Sequence, residues 1–156
     1  MNPVTIKFLV ALTVLISSGV ILLTGSSLLT YELINKPRVP AGTLISWLGL
    51  IALPSSFFYG ITRIRRPQKR FDSIINNGFK GLICLGLLWG LICFVLANNW
   101  TNSFSSKVDG FRGSVRAGEV FWMFNYVLVA MPFVLLIILT LERFGKVLIG
   151  RKNRYD

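Results

Sequence analysis

The chain has 156 residues, of which 53% are hydrophobic and 15% charged, against roughly 25% charged in soluble domains. Its 17 basic and 6 acidic residues give a formal net charge of +11, and it contains no histidine. This composition speaks against a soluble fold, and the missing histidines remove His-ligated haem and histidine-dependent triads.

The charges are unevenly spread. Uncharged runs cover 8–31, 39–62, 81–106 and 120–141, and each exceeds the roughly 20 residues that cross a hydrocarbon core. The pattern predicts an all-α fold: a polytopic membrane protein, one four-transmembrane-helix bundle spanning residues 1–156. Spans are expected at about 8–31, 41–62, 80–98 and 120–141.

The first run follows Lys7 and carries Ser17 and Gly19, small enough to pass for a signal-peptide cleavage site. It is longer than the apolar region of a signal peptide, about 7–15 residues, so a retained span is expected. YELINKPRVP (31–40) reads as a short turn, because Pro37 and Pro40 stop a continuous helix. In the second run Gly42, Ser46, Gly49, Ser56 and Gly60 follow a four–three rhythm, with Leu53 the one large member of that face. Pro54, like Pro132 in the fourth run, falls mid-span, where a kink is expected.

RIRRPQKR (63–70) then gathers Arg63, Arg65, Arg66, Lys69 and Arg70. Such a cluster can meet nucleic acid or anionic headgroups, but beside a span its expected role is to fix orientation, and no nucleic-acid partner is expected. Phe71, Ile74, Ile75, Phe79 and Leu82 follow at helical spacing, as in an amphipathic turn or two lying at the interface and leading into the third span.

The third run, GLICLGLLWGLICFVLA (81–97), places Gly86, Gly90, Cys93 and Ala97 on one side, opposite Cys84, Leu88, Leu91 and Val95. Lipid gives helices no hydrophobic reason to associate, whereas small residues let backbones approach closely. The small faces of the second and third runs are therefore expected to pack on each other, with a homo-oligomer or a foreign helix as alternatives. Cys84 and Cys93 stand on opposite sides, about 13 Å apart along a helix axis, and cannot pair within it.

Residues 98–119 form the longest polar stretch, with Phe104, Phe111 and Val115 as its apolar contacts. Asn99-Trp100-Thr101 fits an N-glycosylation acceptor, which matters only in a eukaryotic secretory pathway. Tyr31, Trp100 and Trp122 mark one membrane border and Tyr59 the other, while Trp47 and Trp89 fill space between helices. In the fourth run Asn125 is a candidate for an interhelical polar contact.

Lys7, the basic residues from Arg63 to Lys80, and Arg143, Lys146, Arg151, Lys152 and Arg154 fall on one side. Lys36, Arg38, Lys107, Arg112 and Arg116 fall on the other. The excess marks the cytoplasm, so both termini are expected inside. The six carboxylates, Glu32, Asp72, Asp109, Glu119, Glu142 and Asp156, lie at or beyond the borders, and no ionisable group sits at midplane, where pumps and ion-coupled transporters need one. No nucleophile–base pair, phosphate loop or metal-ligand cluster is recognisable, so neither enzyme nor cofactor is expected, and a small transporter or channel is disfavoured.

The basic inner loop RIRRPQKR, an outer loop before the fourth span and the basic tail ERFGKVLIGRKNRYD resemble the layout of the four-span immunity proteins that guard against pore-forming colicins. The resemblance covers the whole chain through its architecture. It implies a bacterial inner-membrane protein that recognises the hydrophobic hairpin of a membrane-inserted toxin by helix–helix contact. An accessory or assembly subunit of a larger membrane complex would use the same faces on a resident partner.

Overall fold

The computed structural model describes residues 2–35, 38–101, 104 and 111–152. Of the residues discussed above, Lys36, Pro37, Lys107, Asp109, Arg154 and Asp156 lie outside that set, as do the side chains of Lys146, Arg151 and Lys152. Four helices are long and apolar enough to cross a membrane. They are α1 (Pro3–Thr24), α2 (Ala41–Gly60), α4 (Arg70–Ala97) and α5 (Val115–Lys152), with a single turn, α3 (Thr62–Arg65), between α2 and α4.

The first helix is shorter than the uncharged run that suggested it. Gly25 takes up φ +60° and ends α1, since a residue without a Cβ enters the left-handed region at no steric penalty. Ser26 then caps a 3-10 turn, Ser27–Thr30. The segment read as a plain turn is an antiparallel hairpin of β1 (Glu32–Asn35) and β2 (Arg38–Pro40), the one departure from an all-helical chain among the described residues. Hydropathy could not find the end of α1, because Gly25 to Tyr31 carry no charge.

Residues 71–82 run on without interruption into the third span as the first three turns of α4. No proline separates them, and Ile75, Phe79 and Leu82 share one stripe with Gly86, Trp89 and Cys93 at 3.6-residue periodicity. That stripe is buried throughout, while Cys84, Leu88, Leu91 and Val95 on the far side are exposed. At its end Asn98 adopts φ 55° as the C-cap.

Two core clusters lie along this stripe. Leu50, Leu82, Trp89, Cys93, Phe121 and Leu128 form one. Ile64, Ile75, Phe79 and Leu139 form the other, flanked by Phe57 and Phe71. The first is built by α2, α4 and α5, and the second by α3, α4 and α5 with α2 at its flank. The first helix contributes to neither and buries only Ala11 and Ser18 as it leans on α2. The molecule is thus a three-helix core with a fourth helix against one flank. Pro54 and Pro132 both sit inside continuous helices and are fully buried.

Candidate functional site

The small residues of α4 receive α2. A Cβ at Gly86 would stand 3.3 Å from the Leu50 carbonyl oxygen and 3.4 Å from the Ile51 Cα. That carbonyl is the one whose helical partner Pro54 removes, because proline has no N–H to offer four residues on. One turn further, the Trp47 ring covers Gly90 so closely that a Cβ there would lie 2.6 Å from it. The Trp47 indole Nε1 donates to the Gly86 carbonyl at 2.9 Å. Cys93 and Ala97 complete the face with no exposed surface.

The small residues of α2 face elsewhere, and the expected match of the two stripes is corrected. Gly49 meets Ser18 of α1, with 3.1 Å from a Cβ at Gly49 to the Ser18 Cβ, and Gly60 meets the Phe8 ring of α1. Gly42 is closed by the Phe104 ring and the Leu29 carbonyl, and Ser56 is buried with its hydroxyl donating to Leu53 O at 2.8 Å. The reason is angular. At about 100° per residue, Trp47, Leu50 and Ile51 project roughly a third of a turn away from the glycine stripe, so α2 offers large residues to the glycines of α4 and its own glycines to α1.

Ser46 is the exception on that stripe. It lies in an apolar cavity of about 570 Å³ that opens between α1 and α5 over the floor of α2. Ser18, Gly19 and Leu22 form one wall and Asn125, Val129 and Phe133 the other. A Cβ at Gly19 would meet nothing within 4 Å.

A polar and aromatic line crosses the core beside this groove. Trp89 Nε1 donates to Asn125 Oδ1 at 2.8 Å, and Asn125 Nδ2 donates to Phe121 O at 2.7 Å, so the amide joins α5 to α4. Trp47 contacts Trp89 at 6.4 Å between ring centres and stacks on Trp100 at 6.5 Å, and Trp100 in turn stacks on Phe94. The Thr43 hydroxyl, wholly buried, donates to the Trp100 carbonyl at 2.7 Å. Phe111 packs edge-on to Phe121. Of the three apolar loop residues, Phe104 and Phe111 thus close the Trp100 end, while Val115 is exposed.

At the other end the basic cluster is dispersed over different roles. Arg63 Nε donates to Asp72 Oδ1 at 2.8 Å, and its Nη2 reaches the same oxygen and Glu142 Oε2, each at 2.6 Å. One guanidinium therefore ties α3 to both α4 and α5. Asp72 is 5% exposed and Glu142 18%. Asn76 Nδ2 adds a 2.6 Å bond to Ile64 O, fixing α3 against α4. Arg65 Nη2 donates to Thr62 Oγ1 at 3.3 Å, while Arg66, Lys69 and Arg70 are exposed. Sequence reasoning placed Asp72 and Glu142 only at the borders and missed their partner. The signal was available: both acids fall on the same side as Arg63 under the loop-charge rule, and partly buried charges seek partners.

Among the described residues no three Cys, Asp or Glu side chains converge as a metal site would require. Compared with protein-family models, with curated proteins and with solved structures, the chain matches none.

Proposed function

We propose that this chain is a multi-pass protein of a bacterial inner membrane, with both termini in the cytoplasm, that acts by helix–helix contact as an immunity or exclusion protein against a membrane-active toxin. It has no catalytic machinery of its own in this reading. The orientation is supported by Lys7, Arg63, Arg65, Arg66, Lys69, Arg70 and Arg143, which gather at one end of the long helices. The contact reading is carried by the groove between α1 and α5. Its floor and wall hold Ser46, Ser18 and an uncovered Gly19, small residues that a lipid chain does not need but an approaching helix does. Asn125 at its edge offers the polar contact that fixes such a helix in register.

Sensitive cells making the wild-type chain or Gly19→Leu, at matched membrane levels, are challenged with a panel of pore-forming colicins. Wild type is expected to survive a dose of one toxin that kills control cells, and Gly19→Leu to lose that protection. Equal killing of wild-type and control cells by every member of the panel would remove the immunity reading.

The small buried share of α1 favours a second reading, an accessory subunit of a larger complex whose resident helix covers α1. That reading is tested by purification in mild detergent, where a stoichiometric membrane partner is expected, and where a lone chain of full stability would contradict it.

A further inference from the structure

A cavity of about 470 Å³ opens beside the Arg63 ion cluster, lined by Thr62, Arg63, Arg66, Gln68, Lys69, Asp72, Glu142 and Arg143. Four cations share it with two carboxylates, and both carboxylates are already bound to Arg63. The side chains of Arg66, Lys69 and Arg143 make no hydrogen bond or ion pair among the described residues. Three unpaired like charges around one cavity repel each other, and an anion between them turns that repulsion into attraction. Neutral donors are at hand as well. Thr62 Oγ1 accepts from Arg65, which leaves its own proton to give, and Gln68 brings an amide.

We infer that this cavity binds a phosphate group, carried by an anionic phospholipid headgroup or by a soluble phosphomonoester. Arginine supplies the planar fork that matches phosphate oxygens in pairs, and lysine a mobile point charge. The placement fits a headgroup. Glu142 and Arg143 directly follow the last uncharged run, and Arg63 directly follows the second, so the cavity stands where apolar helix gives way to charge. Arg63, held by its two acids, frames the site, while Arg66, Lys69 and Arg143 face the ligand.

The full-length protein in detergent is loaded with equimolar phosphatidylglycerol and phosphatidylethanolamine, and retained lipid is counted by native mass spectrometry. In parallel its melting is followed with inorganic phosphate or glycerol 3-phosphate, against chloride at equal ionic strength. Each charge removed near an anionic group is expected to weaken binding about fivefold. Wild type should retain phosphatidylglycerol preferentially. Arg66→Gln should lower that preference about fivefold, and the triple Arg66→Gln/Lys69→Gln/Arg143→Gln should abolish it while melting in buffer at or above the wild-type temperature, because the mutual repulsion is relieved. Lys80→Gln, exposed on α4 and outside the cavity, should leave it unchanged. If the lipids are retained equally while glycerol 3-phosphate raises the melting temperature of wild type and not of the triple variant, the site stands and its ligand is soluble. Equal losses in Arg66→Gln and Lys80→Gln, or no response to lipid or phosphate in wild type, would overturn it.

Discussion

The two faces of α2 carry opposite solutions to the same problem. Towards α4 it presents Trp47, Leu50 and Ile51, which fill the hollows at Gly86 and Gly90 and leave no room. Towards α1 it presents Ser46, Gly49 and Gly60, of which Gly49 and Gly60 are covered by Ser18 and Phe8 while Ser46 borders an open groove. Both faces are rich in close approaches, yet one is consumed by the fold and the other is only half used. A small residue in an apolar helix therefore marks a place where something can come near, and the neighbour decides whether that something is the protein itself.

Substitutions can break this contrast, and Gly90→Leu should do so most strongly. With the Trp47 ring 2.6 Å from its Cβ, the added side chain overpacks a rigid aromatic contact, and we expect a loss of about 3 kcal/mol in a detergent-denaturant unfolding titration. A stability equal to wild type would mean that α2 and α4 do not meet there. Arg63→Ala comes next, because it strands the buried Asp72 carboxylate. Broken buried pairs lose 3–5 kcal/mol, and with Arg63 partly in solvent we expect about 2 kcal/mol. Arg63→Lys should recover only part of this, since an ammonium cannot reproduce the guanidinium fork across two acids.

Trp89→Phe removes the indole N–H that satisfies Asn125. Interhelical hydrogen bonds in membranes average about 0.6 kcal/mol, so a loss of about 1 kcal/mol is expected once the smaller ring is included. Asn125→Leu should then lose less in the Trp89→Phe background than in wild type, because that bond is already gone. The smallest expected effect is that of Gly19→Leu. Its Cβ meets open space, and stability should stay within about 0.5 kcal/mol of wild type. A large loss there would show that the groove is closed in the folded protein.

Much of this architecture was legible from charge alone. The gaps between Lys7 and Glu32, Arg38 and Arg63, Lys80 and Lys107, and Glu119 and Glu142 locate the four long helices, because an apolar helix needs no other punctuation. What remained hidden depended on geometry. Gly25 ends α1 through a backbone angle, and an uncharged 3-10 turn after it looks like more span. Residues 71–82 carry an apolar stripe that fits equally a helix lying on a membrane and one standing inside a bundle, and only the phase shared with Gly86 and Cys93 separates the two. The stripe on α2 was visible, but its partner was not, since spacing gives the face of a helix and says nothing of which neighbour it meets. Arg63 illustrates the same limit among charges: as one of five basic residues in a loop it is indistinguishable from Arg66, and only the approach of Asp72 and Glu142 sets it apart.

The claim that close approach at Gly90 holds this molecule together is tested most directly by a double-mutant cycle between Gly90 and Trp47. Gly90→Leu and Trp47→Ala are each expected to destabilise the protein, whereas the double variant should recover stability, because the leucine enters the space the indole has left. An interaction energy of about 2 kcal/mol in that compensating direction is the predicted result. Strict additivity of the two losses would contradict the account.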